Sequence, residues 1–389
     1  MLNKKTYIIL YFLFLCAATL LAQNENDAKV DYMRSSLYLD LIYLDKDFSH
    51  IIPDILNDIP FPDKYNNHNN SKTEGTNFLQ LMQNYSQLNV EPDLDKLFQN
   101  YIDESNLENK LIETWFSRKR DGTFDMSVVA QRGFYNASQL ESDLAENTTR
   151  GRASIADAGE NLIKNTFVVL GLMYVNGNHK KFVIGSQVRL YKLDWNNEKA
   201  IKFYNNYWIP RGKFDFKKRK AFKELDLFNL EFIGAQSHTN IIKVTRQEPI
   251  LELPDRRHFS ARLPRRIEDK DRFFEIVTRH FDEVYANLQK EFEIFRVVSP
   301  LISTEPLTAQ IGMKEGLKGG EKFEVLEKIY NEETGTTKYK RKGIIKVVAG
   351  KIWDNRYNVG EKGTQKKEGA TQFSGKGNFY PGMLIRQID

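Results

Sequence analysis

Hydrophobic and polar positions divide this chain into stretches of different period. The first is an uncharged, mostly apolar run of 16 residues, Tyr7 to Ala22, behind Lys4 and Lys5 and ahead of polar Gln23 to Asp27. A membrane-spanning helix needs about 20 apolar residues, so this run has the length and flanks of a secretory signal. Beyond it, Met33, Leu37, Leu41 and Leu44 recur at helical spacing and predict a helix within residues 31–60 that ends near Pro53. Pro60 to Thr76 carries Asn66, Asn67, Asn69, Asn70 and Ser71 and predicts an exposed loop. Helical patches return at Leu79 and Met82 and at Leu97 and Tyr101, with breaks at Pro92 and Asn106, as far as Trp115. The N-terminal third therefore reads as mostly helical.

The middle of the chain changes period. Phe124 to Ala130 has apolar, β-like residues. Ser138-Gln-Leu-Glu141 matches a capping box, and Leu140, Leu144, Ile155, Leu162 and Ile163 continue a helical stripe to about Lys164. Thr166 to Val175 is a continuous apolar run of the kind a buried strand shows; Asn176-Gly177-Asn178 signals a turn, and Lys181 to Leu193 partly alternates. A short helix around Glu198 to Tyr207 and further strands within Asn229 to Arg246 complete an α+β unit. Glu268 to Phe295 carries the strongest helical pattern. Phe274, Val277, Phe281, Val284, Leu288, Phe292 and Phe295 form one nearly heptad stripe, which suits a helix laid on a sheet or, alternatively, a coiled coil.

Past Pro300 glycine turns alternate with short strand patterns: Gly312 to Val325, a turn at Glu332-Glu-Thr-Gly335, a strand from Gly343 to Val348, and a last turn and strand at Tyr380 to Ile385. Such spacing predicts a small barrel or sandwich. The expected class is thus α+β: a signal at 1–22, a mostly helical region at 23–122, an α+β domain at 123–299 ending in the long helix, and a β-rich, barrel-like domain at 300–389.

Composition narrows the chemistry. With 41% hydrophobic and 28% charged residues, the chain has neither a disordered nor a collagen-like make-up. Its single cysteine, Cys16, lies in the leader, so no disulfide framework or multi-cysteine metal site is available. The leader reading favours cleavage after Ala22, although Leu20 is large for its place. An uncleaved anchor and lipidation at Cys16, which bulky Leu15 disfavours, are the alternatives. Cleavage removes two lysines and no acid from a net charge of +5 and leaves a weakly basic, soluble chain.

Four stretches, Asp31-Tyr-Met-Arg-Ser-Ser-Leu-Tyr38, Arg132-Gly-Phe-Tyr-Asn-Ala-Ser138 with Ala156-Asp-Ala-Gly-Glu160, Tyr191-Lys-Leu-Asp-Trp195 and Gly350-Lys-Ile-Trp-Asp-Asn-Arg356, resemble a group of uncharacterised exported proteins of Bacteroidetes-type bacteria. The group carries no activity to transfer. Gly316-Leu-Lys-Gly-Gly320-Glu-Lys-Phe-Glu-Val325 resembles a short signature of small barrel modules in bacterial envelope proteins, which implies a barrel and no function.

Catalytic signatures are sparse. Gly369-Ala-Thr-Gln-Phe-Ser-Gly375-Lys376-Gly377 misses a phosphate-loop motif in both its spacing and its last residue, and Gly316 to Gly320 lacks a strand-to-helix context. The six histidines, at 50, 68, 179, 238, 258 and 280, are never within five residues of one another; His280 with Asp282 and Glu283 reads as a solvated helix face. No Gly-x-Ser-x-Gly occurs, although hydroxyl nucleophiles can assemble from distant residues. No catalytic residue, metal or cofactor is expected, and enzyme status stays open.

The distinctive surface candidate is Lys202 to Lys223, where Arg211, Lys213, Lys217, Lys218, Arg219 and Lys220 interleave with Phe203, Tyr204, Tyr207, Trp208, Phe214, Phe216 and Phe222. Cations among aromatics suit an anionic ligand or partner. Arg256 and Arg257 begin a second basic run, and Trp195, Trp208 and Trp353 are candidate aromatic platforms. Export redirects the expected partner from nucleic acid to an envelope protein, a membrane surface or an acidic polymer. The expected function is an exported, non-enzymatic, envelope-associated interaction or assembly protein at a periplasmic, outer-membrane or extracellular location. The alternatives are a secreted hydrolase of glycan or peptide and a carbohydrate- or lipid-binding module.

Overall fold

The computed structural model describes residues 35–44, 52–68, 93–136, 159–178, 181–243, 270–331, 336–356 and 369–388. Its body is a five-stranded mixed sheet in the order β2-β1-β3-β4-β5. The strands are β1 (Ser35–Leu44), β2 (Tyr65–Asn67), β3 (Thr166–Asn178), β4 (Lys181–Leu193) and β5 (Leu230–Lys243). β1 runs parallel to both neighbours, while β3, β4 and β5 form an antiparallel meander. From Phe167 to Met173 β3 is apolar because both its faces are covered there: Val168, Leu170 and Leu172 face one core, Phe167, Val169 and Met173 the other.

One face is covered by helices that contribute to the aromatic-rich core, α2 (Leu94–Ser105), α3 (Leu107–Trp115), α4 (Ser127–Asn136), α5 (Asn197–Asn206) and α6 (Phe216–Lys223), while α1 (Ile52–Asp58) buries Ile55 on the opposite side. α2 ends at Asn106, which takes a left-handed conformation (φ 50°) and starts α3, as the expected break there required. The other face carries α7 (Lys270–Glu291), whose Phe273, Val277, Phe281, Val284 and Leu288 are buried against the sheet. The stripe, with Phe273 rather than the expected Phe274 as its first fully buried ring, is thus spent inside this chain, on the sheet rather than in a coiled coil. α7 stops at Glu291, and Phe292 to Phe295 continue as a 3₁₀ turn.

Six strands then close a barrel in the order β10-β7-β6-β11-β8-β9: β6 (Val298–Thr304), β7 (Leu307–Ala309), β8 (Lys322–Asn331), β9 (Thr336–Val347), β10 (Thr371–Ser374) and β11 (Leu384–Gln387). Leu301, Ile311, Phe323, Val325, Ile345, Phe373 and Ile385 fill it. The Arg296 guanidinium ties barrel to body. It donates to the Gln289 carbonyl at the end of α7 and to the Gln387 carbonyl on β11, both at 3.2 Å, an arrangement that suits a cation at a helix C-terminus.

Four expectations change. Residues 35–44 are a strand, not a helix. Leu37, Leu39 and Leu41 alternate toward the α7 side while Tyr38 and Asp40 face the helical side; the i, i+4 spacing of Leu37 and Leu41 satisfies both periods. The 60–76 stretch is not all exposed loop, because Tyr65, Asn66 and His68 are buried at β2. Phe124 makes a single bridge to Pro210 and residues 127–136 are helical, so no strand forms there. Asn176-Gly177-Asn178 belongs to β3, which pairs as far as Asn178 opposite Lys181. The Ser138 capping box, the Glu332 turn, and Arg256 and Arg257 lie outside the described residues.

Candidate functional site

The basic–aromatic segment folds into an anchored cap with an exposed tip. Phe203 on α5 is fully buried, its ring 5.1 Å from Phe116 and 5.4 Å from Phe124. Trp208 is half-buried and stacks on Phe124 at 5.4 Å, and Phe222 of α6 is buried against the same ring. Trp195 is only 5% exposed and stacks on Phe228. Trp195 is therefore core and no platform, packed among the rings of Phe116, Phe203 and Phe228 of its own chain. Trp353 is half-buried in the barrel wall, where it bridges to Gly312 and its backbone N–H donates to Thr371 Oγ1.

From this core the chain turns outward. Lys213 N–H donates to the Pro210 carbonyl at 3.0 Å, closing a tight turn in which Gly212 adopts φ +77°. Asp215 then caps α6 by accepting from Lys218 N–H at 3.0 Å. Between the two devices Phe214 is 72% exposed, and Phe216, the first residue of α6, is 67% exposed. Arg211, Lys213, Lys217 and Lys220 are exposed around them. Lys218 and Arg219 are half-buried with structural duties: Lys218 Nζ donates to the Trp208 carbonyl and Arg219 to the Arg120 carbonyl.

That last bond brings in residues the sequence reading missed. Arg118, Lys119 and Arg120 precede a turn at Gly122 (φ +89°), where the Arg219 side chain packs over the glycine. Arg118 stacks on the Phe222 ring at 4.2 Å. Only the three consecutive cations at 118–120 hinted at this, nearly 100 residues before α6.

A cleft of about 950 Å³ lies between α7 and the barrel, lined among others by Arg279, Asp282, Glu283, Asn287 and Arg356. Its chemistry corrects the solvated-face reading of His280 and Asp282, which are 2% and 7% exposed. Burial and, second, the neighbouring His238 hold the His280 imidazole down to about 4. His280 Nδ1 bonds Asn240 Oδ1, and its Nε2 accepts from Ser186 Oγ at 2.9 Å. Asn240 donates in turn to Glu283 Oε2, which also accepts from His238. Burial alone would push Glu283 up, but the bonds from Asn240 and His238 hold its carboxyl below the usual range. Ser186–His280–Asn240 has the order of a nucleophile, base and orienting group. Yet Ser186 is 1% exposed in mid-strand, so the relay meets no substrate and instead fastens α7 to β4 and β5.

Asp282 differs: its Oδ2 is buried without a hydrogen-bond partner, and burial pushes the carboxyl up to about 6 against the pull of Lys314 Nζ, 3.9 Å away. A carboxyl raised in the folded state stabilises the fold below its unfolded value near 3.8, and that contribution is lost as pH rises through 6. Asp282→Asn is therefore expected to raise stability by about 1–3 kcal/mol at pH 7.5 and to change it little at pH 4. Denaturant midpoints at the two pH values check this; a pH-independent difference refutes it. In the nearby glycine turn, Glu321 accepts from the Lys318 and Gly319 amides at 2.8 and 2.9 Å, so the donors a phosphate would need are already engaged.

Against this geometry, no protein-family model matches the sequence and no curated protein aligns with it significantly.

Proposed function

We propose that this chain is an exported, non-enzymatic interaction or assembly protein of the cell envelope, engaging an anionic partner through the cap formed by α5, α6 and the 118–122 turn. The observation that carries this reading is the exposed tip: between residues 211 and 223 seven cations accompany one acid, Asp215, whose carboxylate is engaged in capping α6. The leader pattern of residues 4–22 supports export. Among the described residues, no helix is long and apolar enough to cross a membrane.

The structure selects which cations to remove. Lys213, Lys217 and Lys220 are exposed, whereas Lys218 and Arg219 hold the cap together. K213Q/K217Q/K220Q is expected to weaken salt-sensitive retention on immobilised heparin by about 10²-fold, at ~1 kcal/mol per cation facing an anionic surface. Unchanged retention sinks the assignment. Fractionation of the native host, with affinity purification of companions, tests location and partner class together.

A second reading, a secreted hydrolase, draws on the cleft. Asp282 is raised and Glu283 lowered on successive residues of α7, a division that suits general acid and base roles. Turnover of glycan or peptide that Asp282→Asn abolishes would favour it.

A further inference from the structure

Two exposed phenylalanines at the tip of a basic surface call for a partner that can bury them. Phe214 and Phe216 offer no hydrogen-bonding group, and together they present far more apolar surface to water than a solvated basic face requires. An acidic polymer would be met by the cations alone. On α6, Phe216, Lys217, Lys220 and Lys223 are all exposed at positions that share one side of the helix, so ring and ammonium groups point the same way. The Pro210–Lys213 turn and the Asp215 cap fix the segment on both sides of Phe214, so neither ring can fold back into the core without breaking them.

Apolar rings at the crest with lysines and arginines around them are complementary to the boundary between headgroups and acyl chains of an anionic leaflet. We propose that the Phe214–Phe216 tip is a lipid-inserting anchor. Both rings enter an anionic lipid surface while Arg211, Lys213, Lys217 and Lys220 meet its phosphates. This rests on the cap being the interaction site and names its partner as lipid.

The probe is a vesicle of phosphatidylcholine containing one part in about three of phosphatidylglycerol, with pure phosphatidylcholine as reference and heparin as a lipid-free polyanion. Full chains with identical N-termini are compared, so that any contribution of the leader cancels. Wild-type protein is expected to partition onto the anionic vesicles at least tenfold more strongly than onto the neutral ones, and less so in high salt. F214S/F216S should lose about tenfold or more of that partitioning and keep its heparin retention. F214W should show blue-shifted emission on the anionic vesicles, quenched by brominated acyl chains, relative to wild type. The exposed rings make these variants neutral for folding, which unchanged unfolding midpoints would verify. Equal vesicle partitioning by F214S/F216S, or no shift for F214W, overturns the anchor. Heparin retention without vesicle binding overturns the anchor and leaves the interaction reading standing; loss of both overturns the two together.

Discussion

Phe203→Ala is expected to cost about 3–5 kcal/mol of unfolding free energy, against less than about 0.5 kcal/mol for Phe214→Ala eleven residues on. The two residues are chemically identical, and the contrast is one of place. Phe203 has no exposure and its ring is packed among Phe116, Phe124, Trp195, Trp208, Phe222 and Phe228 at centroid distances of 5.1–6.5 Å. Truncation opens a cavity in the layer that joins α5 and α6 to the turn at 118–122. The neighbouring rings, anchored on separate elements, cannot collapse to fill it. A loss of that size is a large part of a typical domain's stability. It should also disorder the tip, so heparin retention should fall in parallel with the unfolding midpoint, which for Phe214→Ala it should not. Equilibrium unfolding of both variants in urea checks the contrast, and equal costs would refute it.

Acid is the second large lever. Burial, and then the charge of Arg132, hold the His68 imidazole down to about 3, while burial and His238 hold His280 near 4. His68 is committed to its neutral form on both nitrogens. Nε2–H donates to the Leu111 carbonyl at 3.0 Å, and Nδ1 accepts from Arg132 at 2.6 Å. Arg132 itself lies over the Trp115 ring. Both imidazoles are depressed in the folded state, so their contribution is fully present above the unfolded value of 6.5 and is lost as pH falls toward 4 and 3. By pH 4.5 each costs about 2–3 kcal/mol. Carboxyls raised by burial, Asp40, Glu108, Glu315 and Asp282, oppose this as they protonate. Between pH 6 and 4.5 the slope of unfolding free energy against pH should fall by about 1.4 kcal/mol per unit in His68→Gln, and again in His280→Gln. The slope is the quantity to compare, because the packing lost in either variant displaces the whole curve and leaves the slope alone. An unaltered slope would mean that the histidine is charged in the folded protein.

Much of the fold is legible wherever one period excludes the other. The run from Thr166 is too continuous for a one-sided element and too β-branched for a short helix, and it is the doubly covered β3. The stripe that starts at Phe274 is too long for a strand and becomes α7 as far as Leu288, with Phe292 and Phe295 following in the 3₁₀ turn. β1 defeats the same reasoning because Leu37 and Leu41, four apart, fit either period, and the decisive neighbour, β3, is about 130 residues away. β2 has three residues, two of them asparagine, and is a strand only because the β1 edge offers hydrogen bonds. At the cap, the composition of Lys202–Lys223 marked the segment but could not sort inward Phe203 and Phe222 from outward Phe214 and Phe216. That division follows from Gly212 and Asp215, whose local geometry sets the turn and the helix start. The His238–His280 pair lay hidden because its members sit on different elements, brought together only when α7 lies across β5, with ring centroids 5.1 Å apart.

The place of β1 in the sheet has a kinetic side. Ser36 pairs in parallel with Thr166, so the earliest strand of the body has no lateral partner in β3 until some 130 further residues have been synthesised. Closing so large a loop is slow, and the body cannot reach its final order cooperatively before then. β1, the first of the described strands, is therefore among the last to lock into the sheet.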